Sequence, residues 1–451
     1  MKIIVVGCGK IGTSIATELN AEGHDVVAVD ISNEAVHNLS DSLDVMGIAG
    51  NGATYGVLME AGVDTADIVI AATALDEVNI YTCLMAKRAG AEHTIARVRN
   101  PEYSRDLFRV KEQLGLSMEI NPEKTAANEI SRLLRFSGSL EVDSFSKGNV
   151  ELIKIKLPEN SVINDKKISE IDILKGRVRI CSVERESEFF IPNGDFILRG
   201  GDLISIVAAA NTAPKFFKKI NVTVGRSKDV VLLGGGKISY YLAQTLLEVG
   251  TKVKIIEKNK KRCNYLAEAL PNAVIIHGDC MDQQLLLSEG IEHATGVVAL
   301  MDYDEENILS SMYVKSVSNA AVITKVNNTS FDSMLNKFGF DRIIHPKNLI
   351  GEYIARYVRA VQNTQGSNVE TLYRLNDDRI EALEFNVRTE SDVTDKPIRM
   401  LNLKDDLQII CIIRGNRLIL PQGSDIINQG DMLVILTKQK GLTAVEDILR
   451  S

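Results

Sequence analysis

Short runs of β-branched and other apolar residues alternate with stretches of helical periodicity along the first part of the chain. The runs 3-IIVV-6, 26-VVAV-29, 68-IVIA-71 and 94-TIARV-98 are continuous or nearly so, as expected of parallel strands buried on both faces. Between the first two, Ile11, Ile15 and Leu19 recur every four residues and mark one face of a helix. Strands alternating with helices predict βαβ units and an α/β fold with a doubly wound parallel sheet. A last helical stretch, 123–136, follows Pro122, and then the pattern changes. Residues 150–207 read as short strands with turn signals at Pro158, Gly176, 192-PNGD-195 and 200-GGD-202, and no long helix beyond 166–174. That is a small α+β module.

The whole pattern is then written again. 2-KIIVVGCGKIGTSIATEL-19 returns as 228-KDVVLLGGGKISYYLAQTL-246, with the first glycines, Gly7 and Gly234, 227 residues apart. The acid closing the second strand, Asp30, returns as Glu257 at the same offset. Further on, 76-DEVN-79 matches 304-DEEN-307, 97-RVRN-100 matches 325-KVNN-328, and 121-NPEK-124 matches 345-HPKN-348. Finally, 192-PNGDFILRGGDLISIV-207 matches 421-PQGSDIINQGDMLVIL-436. Self-similarity at a fixed long period organises the fold. It predicts four modules ordered large, small, large, small: 1–136, 137–220, 228–361 and 368–451. Residues 208–227 join the halves, and 362-QNTQGSN-368 has linker composition.

Composition narrows the function. The 451 residues are 45% apolar and 25% charged, the mix of a soluble globular chain rather than a disordered one. The net charge of −8 argues against a nucleic-acid partner, which calls for a broad basic face. The apolar run 203-LISIVAAA-210 is far short of the ~18 residues that span a bilayer, and the run before Cys8 is too short for an export signal. A cytosolic protein is expected. Six cysteines without a C-x-x-C pair read as reduced and buried, and the six histidines show no zinc-binding spacing.

Candidate chemistry sits at the strand ends. Gly7, Gly9 and Gly12 form an intact G-x-G-x-x-G after a strand and at the start of a helix, with Asp30 ending the next strand. This is the context of a Rossmann-like dinucleotide site: the first glycine for the turn, the second for close approach of pyrophosphate, the third for helix–strand packing. The helix start near Lys10 offers free N–H groups to phosphate. Asp30 is placed to accept from ribose hydroxyls and to repel a 2′-phosphate, which favours NAD over NADP. Asn51 in 50-GNGAT-54, Thr73 and Ala74, and Arg97 follow the third, fourth and fifth strands, where open α/β sheets bind ligands. As alternatives, Asn51 reads as a turn former and Arg97 as a surface ion pair. In the second copy Gly234, Gly235 and Gly236 keep the turn, Ser239 replaces the third glycine, and a hydroxymethyl there should push the helix slightly outward. Glu257, Asp279, Met301 and Lys325 take the places of Asp30, Asn51, Thr73 and Arg97. The basic run 258-KNKKR-262 reads either as a solvated helix start or as a phosphate attractor. Asp76, Glu77 and Asn79, repeated as Asp304, Glu305 and Asn307, read as caps of the following helix rather than as a catalytic acid pair. Nothing in the sequence calls for an active site beside a nicotinamide.

On these motifs and their duplicated order, across essentially all 451 residues, the chain resembles the TrkA family. These are the peripheral, NAD-binding regulatory subunits of Trk-type potassium uptake systems, built from tandem RCK (KTN) domains. The resemblance implies that modules 1–136 and 228–361 are nucleotide-binding (RCK-N) and that 137–220 and 368–451 are small ligand-sensing lobes (RCK-C). It implies that Gly7, Cys8, Gly9, Lys10, Ile11, Gly12, Asp30, Asn51, Thr73, Ala74 and Arg97 line a first site for NAD or NADH. Gly234, Gly235, Gly236, Lys237, Ile238, Glu257, Asp279, Met301, Asp302 and Lys325 would line a second site for NAD or an adenine nucleotide, ATP or ADP. It further implies a non-enzymatic regulator that forms a homotetrameric ring. That ring would sit on the inner face of the cell membrane through an integral membrane potassium channel or transporter subunit. Two alternatives remain at this stage: an NAD-dependent oxidoreductase, and a c-di-nucleotide or metal sensor acting through the small modules.

Overall fold

The computed structural model of the chain describes residues 1–135, 141–145, 150–171, 178–186, 188–209, 212–222, 227–340, 342–364, 369–375, 380–415, 417–439, 441–442 and 444–450. By contact it divides into two compact units, Met1–Ser131 with Asp229–Val358, and Arg132–Lys228 with Arg359–Ser451.

The first unit holds both large modules. Strands β1 (Lys2–Val6), β2 (Asp25–Asp30), β3 (Met46–Ala49), β4 (Ile68–Ala71), β5 (His93–Arg97) and β6 (Met118–Ile120) form one parallel sheet in the order β3-β2-β1-β4-β5-β6. Helices α1 (Lys10–Ala21), α2 (Asn33–Ser42), α3 (Tyr55–Glu60), α4 (Asp76–Ala89), α5 (Pro101–Val110) and α6 (Pro122–Arg135) connect or follow them. The strand order reverses between β1 and β4, and this switch opens the crevice at the strands' carboxyl ends where such sheets bind ligands. Ile3, Ile4 and Val5 of β1 and all four residues of β4 are sealed from solvent, because helices cover both faces. On α1, Gly12, Ile15, Ala16 and Leu19 are the buried residues, so the four-residue spacing does mark the core face, but Ile11 lies outside it.

The second large module repeats the plan in the same order. Its strands β12 (Asp229–Leu233), β13 (Lys252–Glu257), β14 (Val274–His277), β15 (Gly296–Ala299), β16 (Ala321–Lys325) and β17 (Ile343–Ile344) form a sheet in the order β14-β13-β12-β15-β16-β17. The small module of the first half contains β7 (Glu141–Phe145), β8 (Val150–Lys156), β9 (Val178–Arg185), β10 (Glu188–Phe190), β11 (Leu203–Ala209) and the short helix α7 (Ala213–Lys219). The second large module's helices are α8 (Lys237–Glu248), α9 (Lys260–Ala269), α10 (Gln283–Ser288), α11 (Asp304–Val317), α12 (Asp332–Lys337) and α13 (Pro346–Thr364). The two large modules touch directly: Ser14 donates to the Lys347 carbonyl at 3.0 Å, and Asn121 Nδ2 donates to the Tyr241 hydroxyl at 2.9 Å.

The second unit holds the small modules. Each is a five-stranded antiparallel sheet, β10-β9-β11-β8-β7 in the first and β18-β19-β22-β20-β21 in the second, with β18 (Val369–Leu375), β19 (Ile380–Asn386), β20 (Leu407–Arg414), β21 (Arg417–Ile419) and β22 (Met432–Thr437). Their apolar faces meet in one cluster that includes Val150, Cys181, Val207, Ile410, Cys411 and Val434. The turn signals have a structural cause: Asp202 and Asp431, each almost fully buried, bind Arg185 and Arg414 through both carboxylate oxygens at 2.7–2.8 Å. Two sequence expectations need correction. In 166–174, where a helix was expected, Ile168–Glu170 forms only one tight 3-10 turn, and the rest of the stretch after Ile171 lies outside the described residues. In the expected linker 362–368, residues 362–364 continue α13, whose apolar stripe carries the helix past the compositional change.

Candidate functional site

At the first switch point the chain builds a cavity of about 670 Å3. That volume suits a sizeable small-molecule ligand. Gly7 makes the turn with φ +104°, and a Cβ there would meet the Ala72–Thr73 backbone at 2.9 Å. Gly9 ends the turn, and a Cβ on it would point into open space, so the backbone is bare where a phosphate would approach. It is also the N-cap of α1 and supplies no side-chain cap, which leaves the first-turn N–H groups available. Gly12 is the packing glycine: a Cβ would sit 1.7 Å from the Gly7 carbonyl oxygen.

Asp30 is fixed by the main chain. One carboxylate oxygen accepts from Cys8 N at 2.7 Å and the other from Ser32 N at 2.8 Å. Each oxygen keeps a further lone pair for a ribose hydroxyl. Cys8 itself does not line the cavity: its side chain is buried, and burial first, then the Asp30 charge, push its thiol up to about 12. Asn51 lines the cavity while its Oδ1 accepts from Ala53 N at 3.0 Å, so both the turn and the site reading describe it.

The far wall depends on a residue that sequence reasoning assigned another job. Asn79 is fully buried, and it accepts from Thr73 N at 2.8 Å and Thr73 Oγ1 at 2.7 Å while donating to the carbonyls of Thr73 at 3.2 Å and Arg97 at 2.9 Å. It ties the ends of β4 and β5 together and is no helix cap. Asp76 is likewise not a cap, since Leu75 holds that position. Its carboxylate accepts from Arg99 N at 2.9 Å and Asn100 N at 2.8 Å, pinning the next loop, while its charge still favours the first turn of α4. Arg97 lines the cavity, donates to the Thr73 carbonyl at 3.0 Å, and has a buried Nε without a hydrogen-bond partner in the structure. Burial, then the neighbouring Arg99, lowers its pKa, so an arriving anion would relieve it. Arg99 also walls the cavity, salt-bridged to Glu123 at 2.6 Å, and was missed by sequence reasoning. The signal was present: in 97-RVRN-100, residues 97 and 99 share a side of an extended chain around buried Val98.

The second cavity is about 340 Å3. Gly234, with φ +102°, repeats the turn, and Glu257 repeats Asp30, accepting from Gly235 N and Asn259 N at 2.7 Å each. Ser239 is fully buried, and its hydroxyl donates to the Gly234 carbonyl at 2.5 Å, where the first copy has no room for a Cβ. The two helices therefore cannot sit identically against their turns. Asn307 repeats Asn79 at the Met301 N and O. Gly235, Gly236, Asp279, Met301 and Asp302 line the cavity, but Lys237, Ile238 and Lys325 do not. Lys325 is lowered in pKa by burial beside Asp302 and Asp304. Lys237 is lowered by burial and by Arg99, and it feels the charges of Glu123, Asp76 and Arg97, all of the other large module. The basic run serves both readings: Asn259 caps α9, and Lys258, Asn259 and Arg262 line the cavity. Arg262 donates to the Gly235 carbonyl at 2.6 Å and the Gly236 carbonyl at 3.3 Å.

Two open parallel sheets with glycine turns, acids held by backbone N–H groups and clefts at their switch points define a tandem Rossmann-like protein with paired small lobes. The TrkA-N domain family matches residues 3–122 and 230–346, and the TrkA-C domain family matches 152–221 and 382–450. The chain belongs to the TrkA family. It is 33% identical over 451 residues to a Trk system potassium uptake protein TrkA homolog of Archaeoglobus fulgidus, covering 100% of both chains. It is 30% identical over 447 residues to the Trk system potassium uptake protein TrkA of Halomonas elongata, covering 98% of this chain and 96% of that protein. Among solved structures it is similar to the GsuK channel bound to NAD, with a TM-score of 0.64 and 16% identity over 97% of this chain and 76% of that one. The GsuK RCK domain shares the fold too, with a TM-score of 0.62 and 16% identity over 96% of this chain and 92% of that one.

Proposed function

We propose that this chain is a non-enzymatic, nucleotide-sensing regulatory subunit of a potassium uptake system, with NAD or NADH at the first cleft and a second nucleotide at the other. The observation that carries the reading is the first cavity itself: a bare glycine turn, an acid held for ribose, and Lys10, Arg97 and Arg99 gathered around one space. Its ionisable lining residues are those three cations and Asp30, a set suited to holding phosphate rather than to relaying a proton. The family relatives supply potassium uptake as the process.

The chain's own residues couple the site to the rest of the unit. A ligand's negative charge offsets the mutual repulsion of Arg97 and Arg99. The Arg99 carbonyl accepts from the Tyr241 hydroxyl of the other large module at 3.3 Å, so a change at Arg99 is felt there. A ligand that prefers one arrangement of the two modules shifts the population toward it, and a coupling of about 1–3 kcal/mol is enough for regulation. In our reading the four modules are 1–136, 137–220, 228–361 and 368–451, and several copies, four by family resemblance, assemble on the cytoplasmic face of a membrane subunit that carries the ion. Among the described residues no helix is long and apolar enough to cross a membrane. Self-assembly is supported by matching exposed apolar residues on α4 and α11 (Tyr81 51% and Leu309 55% exposed), preceded by Leu75 and Tyr303 at 59% and 64%.

The test is potassium flux through a Trk-type membrane subunit reconstituted with this chain, measured with and without NADH, for wild type and Asp30→Ala. Nucleotide-dependent flux that Asp30→Ala abolishes is expected. Flux indifferent to nucleotide, or catalytic oxidation of NADH by the chain alone, would overturn the reading.

A further inference from the structure

The two clefts share a frame but differ in size and charge. The first is walled by Lys10, Arg97 and Arg99 against the single carboxylate of Asp30. The second sets Lys258 and Arg262 against Glu257, Asp279, Asp302 and Glu306, and has about 340 Å3 where the first has about 670 Å3. The missing space lies beyond β15. Arg97 and Arg99 wall the first cavity there, whereas their counterparts Lys325 and Asn327 do not line the second, and the Asn327 side chain donates to Asp304 at 2.9 Å. What remains of the second cleft lies between Glu257, the glycine turn and the Leu300–Asp302 segment after β15. Across that turn lies one guanidinium, Arg262, bonded to the Gly235 and Gly236 carbonyls.

From this asymmetry we propose that the second cleft is a mononucleotide site, selective for a nucleoside monophosphate over a dinucleotide or a nucleoside triphosphate. The proposal rests on the reading of both clefts as nucleotide sites. The ribose sits at Glu257, whose two oxygens each hold one backbone N–H and retain one lone pair for a hydroxyl. A single phosphate meets Arg262 and the start of α8, where the N-cap Gly236 provides no side-chain cap. A second or third phosphate has only Lys258 left to meet, against the carboxylates of Asp279, Asp302 and Glu306, and like charges in a cleft are repelled. A dinucleotide also lacks the room that the first cavity gives beyond its fourth strand.

The experiment is calorimetric titration of the full chain with AMP, ATP and NADH in turn, using wild type, Asp30→Ala and Arg262→Ala. AMP is expected to bind a site that survives Asp30→Ala, with ATP about tenfold or more weaker there, and Arg262→Ala is expected to weaken AMP by a similar factor. NADH is expected to fill one site per chain, lost in Asp30→Ala. NADH retained in Asp30→Ala, ATP as tight as AMP at the surviving site, or AMP indifferent to Arg262→Ala would each overturn the selectivity and leave nucleotide sensing standing. Binding of none of the three ligands would overturn both.

Discussion

Replacing Asn79 by alanine tests whether the first cleft is held by a buried side-chain clamp. The side chain is fully buried and makes four hydrogen bonds, to Thr73 N, Thr73 Oγ1, Thr73 O and Arg97 O, at 2.7–3.2 Å. Alanine leaves Thr73 N and Arg97 O without that partner, while Thr73 O keeps its bond from Arg97, and each buried orphan costs about 1–3 kcal/mol. Thr73 borders the cavity, so water reaches part of the gap and the net loss should be about 2–4 kcal/mol. For a domain of this size that lowers the midpoint of the corresponding calorimetric transition by roughly 5–15 °C. Several transitions are expected from two compact units, so the shift should be read from one of them rather than from the whole trace. The Thr73–Ala74 segment and Arg97 lose their common anchor, and NADH affinity should fall on the order of tenfold to a hundredfold. The matched control is Asn307→Ala, which removes the bonds to Met301 N and O and should destabilise without changing the first site. An Asn79→Ala protein with an unmoved transition and unchanged NADH affinity would refute the clamp.

Four further outcomes are expected. Gly12→Ala should cost about 1–3 kcal/mol or more and eliminate first-site binding, because its Cβ would lie 1.7 Å from a backbone oxygen that cannot swing away. Ser239→Gly should cost only about 1–2 kcal/mol, a lost hydrogen bond plus a helical glycine, and equal thermal penalties for the two would contradict the packing difference. The cysteines are all buried, and burial raises Cys8, Cys83, Cys181 and Cys280 from an ordinary 9.0 to about 12. Since the folded state holds these protons more tightly, their stabilising contribution is complete below pH 9 and is lost as pH rises towards about 12. A thiol-reactive dye at pH near 8 should label the folded chain slowly and all six thiols after denaturation, and fast native labelling would show the burial to be wrong. Asp431→Ala should destabilise the small-module unit by about 2–4 kcal/mol, the cost of breaking a buried pair reduced because Arg414 is 42% exposed, and an unchanged unfolding midpoint would count against it.

The sequence by itself determined the duplication, the parallel sheets and the position of the glycine turns. Those features are local or periodic: uninterrupted apolar runs mark strands covered on both faces, and a glycine that must adopt positive φ cannot be disguised. Asp30 and Glu257 were equally legible, because the distance from turn to acid is set by one βαβ unit. What only the tertiary structure decided is what each polar residue bonds to once the strands lie side by side. Asn79 looked like a cap, since caps are local, yet its partners just past β4 and at the end of β5 lie six and eighteen residues away. Lys237 occupies the position of Lys10 in its own motif, but it feels the charges of the other large module, because contact between the copies is invisible to a comparison of the copies. The charge and size of the second cleft were hidden for the same reason. Met301 and Asp302 could be read one by one, whereas the absence of Lys325 and Asn327 from the cleft's lining and the reach of Arg262 across the glycines depend on the packing of β13, β15 and β16 against their helices.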